Sequence, residues 1–245
     1  MRAVTFNIRH GVGLDRRLDL RRVARAIERL RADVVGLQEV DQHWSDRSHF
    51  ADQLSLLGEW LGMYAVLGAT LDLDPPAPDW PRRRYGNALL SRSPVLDWSN
   101  TLLPRDEGDE QRGLLRVRTA VTDAVVDVYV THLQHDSAPA RLAQATVVAE
   151  TIAAGEGSRV LLADVNATWK TPEAQVLTDR LVDVWAVMGS GAGNTFPALW
   201  PTRRVDVVLC SANVRPVGAR VPLTIASDHR PLLAEVLAGD GGSAA

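Results

Sequence analysis

Short apolar runs that stop at a carboxylate, an amide or an imidazole constrain this chain more than any other feature. Arg2 to Ile8 reads as a strand, and Asn7 and Arg9 mark its end. Residues 33–40 (DVVGLQEV) are apolar on consecutive positions, as in a strand buried on both faces, and the run closes on Gln38 and Glu39. Gly86–Ser91 carries Asn87 at its start, and Val125–His132 ends on Thr131 and His132. Asp164 and Asn166 follow Val160–Ala163, and Asp206 is embedded in Arg204–Cys210. Asp228 and His229 immediately precede Pro231–Leu237. Carboxylates at the ends of buried strands are costly unless paired or metal-bound. One would be unremarkable, but four carboxylates and two histidines in such places imply a shared polar site. Oxygen ligands without sulfur favour Mg²⁺ or Mn²⁺ over zinc.

Leu20, Val23, Ile27 and Leu30 recur at helical spacing behind Asp19, a suitable N-cap. Phe50, Leu54, Leu57 and Leu61 give a second amphipathic helix, and Ala138–Ala153 and Thr171–Leu181 give two more. Further strands are expected at Tyr64–Gly68 and Leu114–Val121. Residues 72–84, with four prolines and Arg82-Arg83-Arg84, read as a surface loop. The plain reading of that arginine run is an unpaired, solvated edge. The sharper one is a rim that draws in a phosphate-bearing substrate and, with the Trp169 region, sets substrate choice. No linker divides the 245 residues, so a single α/β catalytic domain is expected over 1–239, with a flexible tail at 240–245.

Composition excludes several classes. With 46% hydrophobic and 23% charged residues the chain is not a disordered one. A net charge of -3 excludes a strongly basic nucleic-acid coat protein. Nothing approaches about 18 consecutive apolar residues, so stable membrane insertion is not expected. Cys210 is the only cysteine, which rules out a disulfide framework and, with a polar N-terminus, points to the cytoplasm. A monomer is expected.

In order along the chain stand TFNIRHG (5–11), VVGLQEVD (34–41), YGNALLSRSPV (85–95), VTHLQH (130–135), LLADVN (161–166), RRVDVVL (203–209) and ASDHRP (226–231). Together they resemble the endonuclease/exonuclease/phosphatase superfamily, the deoxyribonuclease-I-like fold, and span nearly the whole chain. The NIRHG start and TFPA (195–198) are similar to its compact bacterial subgroup. The resemblance implies a four-layer α-β-β-α sandwich: two mixed β-sheets packed face to face, with helices outside each.

It also implies roles. Glu39 would be the metal-binding glutamate, with Asn7 and Asp228 within reach of one divalent ion. Asn7, Arg9 and Asn87 would bind substrate. Asp164 and Asn166 would position or deprotonate the attacking water, Asp206 would orient His229, and His132 would contact a phosphate oxygen. Either Asp164 or His229 could serve as the base. Two departures matter. Asn87 stands where the deoxyribonuclease branch has a carboxylate that orients the first histidine, which favours a hydrogen-bonding role for His132 over a strong acid. The stretch after Asn7 lacks the second acidic ligand of abasic-site nucleases, so abasic-DNA repair is not expected. The resulting expectation is a divalent-metal-dependent phosphodiesterase or nuclease. The alternatives are a phosphomonoesterase or lipid-linked phosphodiesterase of the same fold, and a non-catalytic binding module that keeps it.

Overall fold

Two strands buried on both faces, β1 (Arg2–Asn7) and β2 (Val34–Gln42), lie parallel at the centre of one six-stranded sheet. This computed structural model describes residues 1–121 and 124–239. The expected tail at 240–245 lies outside the described residues. β3 (Tyr64–Leu73) and β4 (Arg83–Ser91) form a hairpin on one side of the central pair, and β11 (Val214–Arg220) and β12 (Leu232–Ala238) flank the other. The order is β11-β12-β1-β2-β4-β3. The second sheet repeats the plan around the parallel pair β7 (Ala124–His132) and β8 (Ser158–Asp164). With β5 (Val95–Leu102), β6 (Gly113–Val121), β9 (Val182–Asp183) and β10 (Asp206–Cys210), its order is β5-β6-β7-β8-β10-β9.

Consecutive apolar residues in these strands feed two cores at once. Ala3, Val34, Val130, Leu162 and Val208 pack between the sheets. The alternate residues Val4, Phe6, Val35 and Leu37 meet Val23, Ile27, Leu54 and Leu57 of α1 (Leu20–Leu30) and α2 (Gln53–Leu61). Leu161, Ala163, Val207 and Leu209 meet Val148, Ile152 and Leu177 of α3 (Ala138–Ala153) and α4 (Pro172–Thr178). The expected four-layer α-β-β-α sandwich is therefore the fold, each buried leucine or isoleucine contributing roughly 1.5–3 kcal/mol. Gly36 lets the sheets approach closely, since a Cβ there would stand 2.8 Å from Leu162 Cβ. Asp19 caps α1 as expected, accepting from Arg22 N at 2.8 Å.

Two sequence expectations change. Residues 72–84 are not all loop: β3 runs to Leu73 and β4 starts at Arg83, so the segment is the tip of a long hairpin. The arginine run is not unpaired: Arg82 bonds Asp72 and Asp74 at 2.6 and 2.7 Å, Arg84 bonds Asp72 at 3.2 Å, and Arg83 donates to Asp74 O. Edge strands β5 and β11, together with the five-residue α5 (Val184–Met188), had no expectation. β5 is largely exposed, and β11 contains Pro216 beside a bulge, which only an edge tolerates.

Candidate active site

The register of the second sheet sets His132, Asp164 and Asp206 side by side, on β7, β8 and the start of β10. From the first sheet, the end of β1 brings Asn7 opposite them, and a bulge within β2 brings Glu39. The Asp228-His229 pair arrives from the turn before β12. All of the expected catalytic side chains converge at one end of the sandwich.

Asp206 Oδ2 stands 2.9 Å from His229 Nδ1, and His229 Nε2 faces Asp164 Oδ2 at 3.8 Å. Asp164 and Asp206 are fully buried. Burial alone would discharge the His229 ring, but the two aspartates outweigh it and lift its pKa to about 10. Burial, reinforced by the charge of Asp206, raises the Asp164 carboxyl to about 6. His132 is the opposite case, held well below the ordinary imidazole range by burial and by the Arg112 guanidinium.

Asn7 joins the two sheets. Its Nδ2 donates to Glu39 Oε1 and to Asp164 Oδ2, both at 3.0 Å, while its Oδ1 accepts from Arg9 N. In this arrangement Asn7 clamps the two carboxylates. Burial opposes ionisation of Glu39, but His10 and Asn7, with the charged His229 ring behind, hold its carboxyl well below the usual range. His10 Nδ1 is 3.7 Å from Glu39 Oε2, close without being bonded. Asp228 pairs with Arg9 at 3.5 Å. Asn166 N donates to Asp164 Oδ1, and Asn166 Nδ2 lies 2.8 Å from His132 Nε2. Asn87 does not touch His132: it donates to Gly113 O and lines a small cavity with Glu39, Tyr85, Arg112 and His132.

Backbone strain concentrates here. Arg9, His10, Glu39 and Asn166 all have φ between 42° and 58°, the left-handed region that side chains resist. Glu39 occupies the bulge where the β2–β4 register slips between Leu37 and Val40, and this turns its side chain out of the pleat alternation.

Four contributors escaped the sequence reading. Arg112 places Nη1 3.1 Å from His132 Nδ1 and also holds Glu110 and Gln134. Phe196 lies against His229, ring centroids 4.7 Å apart. Thr195 Oγ1 accepts from Asp206 N, and Ser227 Oγ accepts from His229 N. Position relative to a motif was the available signal: Arg112 immediately precedes a strand, and Thr195 and Phe196 begin TFPA. Trp169 carries Arg204 on its face at 4.1 Å, and Arg204 is in turn bidentate to Asp183. His135 stays at the surface, 61% exposed.

Ligand atoms of Asp164, Asp206 and His229 fall within 4.8 Å of one another, close enough to enclose a cation. The protonated His229 already balances that trio. Glu39 is a further carboxylate at the same end of the sandwich, a quarter exposed, with His10 Nδ1 3.7 Å away. The donor set of carboxylate oxygens without sulfur suits a hard divalent ion.

A family model described as "Endonuclease/Exonuclease/phosphatase family" matches residues 4–229. The uncharacterized protein YbhP of Escherichia coli (strain K12) is 27% identical over 254 residues, taking in 96% of this chain and 95% of YbhP. The endonuclease/exonuclease/phosphatase from Beutenbergia cavernae DSM 12333 superposes with a TM-score of 0.85 at 27% identity, covering 100% of this chain and 73% of its own. The mannosyl-6-phosphatase Bt3783 of Bacteroides thetaiotaomicron VPI-5482 shares the fold at 17% identity, with a TM-score of 0.78 over 97% of this chain and 99% of its own.

Proposed function

Because this chain belongs to the endonuclease/exonuclease/phosphatase family, we propose that it is a divalent-metal-dependent phosphodiesterase in which water attacks phosphorus in line. The observation that carries this reading is the pairing of a basic carboxylate, Asp164, with a protonated imidazole, His229, 3.8 Å away in a buried cleft.

Glu39 would hold Mg²⁺ or Mn²⁺, with Asp228 nearby, and the ion would neutralise the phosphate oxygens and polarise phosphorus. Asp164 takes the proton of the attacking water. Its raised pKa makes it a better base than an ordinary aspartate, yet leaves it ionised at neutral pH. His229 is already protonated there and cannot be the base. Its Nε2–H binds a phosphoryl oxygen and stabilises the charge that builds on it. Asp206 keeps that ring charged and oriented. His132 stays neutral. Its two ring nitrogens face donors, Arg112 Nη1 at Nδ1 and Asn166 Nδ2 at Nε2, and neither favours a positive charge on the ring. Asn7 fixes Glu39 and Asp164 relative to each other across the two sheets.

The test is hydrolysis of bis-(p-nitrophenyl) phosphate against p-nitrophenyl phosphate, with Mg²⁺ or Mn²⁺ and with EDTA. Metal-dependent turnover of the diester is expected. Preference for the monoester would make the protein a phosphatase, and no turnover of any phosphoester would make it a binding module.

A further inference from the structure

A second concave surface lies behind the wall of the cleft. One side of it is a face of α1, where Arg22, Arg25, Arg29 and Leu30 recur at helical spacing. The other side is the irregular chain from Arg220 to Ile225, and Ala198-Leu199 and Arg230-Pro231 close one end. The groove holds about 750 Å³, within the size range of ligand sites.

Two properties set it apart from ordinary surface. First, large apolar side chains stand out from it: Leu199 is 63% exposed, Leu223 79% and Ile225 61%, and the neighbouring Trp200 is 78% exposed. They protrude from turns, where no packing requires them. Second, five arginines line it and no carboxylate does, in a chain whose net charge is -3. Arg22 is held by Asp15 and Arg25 reaches Asp19, while Arg230 donates to Ala198 O. Arg29 and Arg220 have no ion-pair partner among the described residues.

We infer that this face docks onto a bilayer containing anionic lipid. The protruding Leu199, Trp200, Leu223 and Ile225 enter the acyl boundary, and Arg29 and Arg220 take the phosphate headgroups. Interfacial binding combines these two contributions, buried apolar area and attraction of basic side chains to anionic lipid. A second copy of the chain is a poorer occupant, because a two-fold contact would set this arginine-lined, carboxylate-free face against itself. An acidic soluble protein would satisfy the arginines but gives no reason for bare aliphatic tips on flanking turns. No described helix is long and apolar enough to cross a membrane, so the contact is peripheral.

The groove shares its wall with the cleft. Ala198 N donates to Asp228 O, and Arg230, which lines the groove, adjoins His229, which faces Asp164. The docking itself does not depend on the hydrolase reading. On that reading, it brings the cleft beside phosphoesters carried in the membrane.

The experiment is flotation of the full chain with vesicles of phosphatidylcholine alone, or with one quarter phosphatidylglycerol, in EDTA so that turnover plays no part. The expected result is co-flotation with the phosphatidylglycerol vesicles, reduced roughly 25-fold in Arg29→Ala/Arg220→Ala at about fivefold per arginine, and lost in Leu223→Asp/Ile225→Asp. Both variants should keep the wild-type melting temperature and the wild-type hydrolysis of bis-(p-nitrophenyl) phosphate. Absence of flotation with either vesicle would overturn the inference, as would flotation unaltered in both variants. A wild-type dimer split by Leu223→Asp/Ile225→Asp would replace the bilayer with a second copy. Retention on immobilised polyglutamate without vesicle binding would replace it with an acidic protein. Failure of the vesicle arm with intact diester hydrolysis would refute the docking alone, and the converse would refute the hydrolase reading alone.

Discussion

Arg112 Nη1 lies 3.1 Å from His132 Nδ1, a donor held against that ring nitrogen. Members of this fold that orient the equivalent histidine with a carboxylate would favour its charged form. Here a cation does the orienting and favours the neutral form. Arg112→Met should lower kcat on the order of 10–100-fold, the usual cost of removing a group that orients a functional imidazole, with KM little changed. It should also let His132 protonate at higher pH. Titration of the His132 ring by NMR in both proteins checks this, since a merely structural arginine would leave that ring's titration in place.

His229 and Asp206 should behave as one unit. His229→Ala and Asp206→Ala are each expected to cost on the order of 10²–10⁴ in rate, and the double variant about the same as the worse single one. Full multiplication of the two losses would show that they act independently.

The raised His229 pKa also predicts a stability slope. The folded ring binds its proton up to about pH 10, whereas an unfolded histidine releases it near 6.5. The group's stabilisation is therefore complete below about pH 6.5 and fades as pH rises toward 10. Denaturant unfolding at a series of pH values should show this loss in wild type and a flatter profile in His229→Gln.

Asp164 has the same sign for a different reason. Burial raises its pKa to about 6, so ionising it in the fold weakens the fold as pH rises from about 4 through 6. Asp164→Asn should lose on the order of 10²–10⁴ in kcat while melting no lower than wild type at pH 8. In wild type the acid limb of kcat/KM should fall near 6. An Asp164→Asn enzyme that kept its rate would remove this residue from the base role.

Glu39 holds φ at 58° in the β2 bulge, a conformation that costs a side-chain-bearing residue roughly 1–2 kcal/mol. Glu39→Gly and Glu39→Ala should both abolish metal-dependent turnover and weaken Mn²⁺ binding measured by calorimetry. The glycine variant should be the more stable of the two by about 1 kcal/mol. Equal melting temperatures would mean that the strain is not stored at this residue.

Much of the frame was legible because its causes are local. A run such as Val160–Ala163 can only be a strand with both faces covered, and the Asp19-capped spacing of Leu20, Val23, Ile27 and Leu30 can only bury one stripe. The long β3–β4 hairpin was hidden, because Asp72, Asp74 and the arginines look like solvent-facing loop until they pair across the strands. Arg112 was hidden in the charged stretch 106–112 (DEGDEQR). Nothing local separates it from its solvated neighbours, and only the packing of β6 beside β7 brings it to His132.

The sequence by itself determined the layers and the inventory of the site: which strands are buried twice, and which of them end in Asn7, Glu39, His132, Asp164, Asp206 and Asp228-His229. Burial and propensity act over a few residues, so they can be read along the chain. Only the tertiary structure decided the surroundings, and so the charge, of each group. His229 is charged and His132 neutral because one imidazole lies between two aspartates and the other beside Arg112. That difference is set by strand register and by charges brought together in a medium that screens them poorly. Asp164 and Asp206 are 42 positions apart in sequence, yet antiparallel pairing of β8 and β10 puts them directly opposite each other.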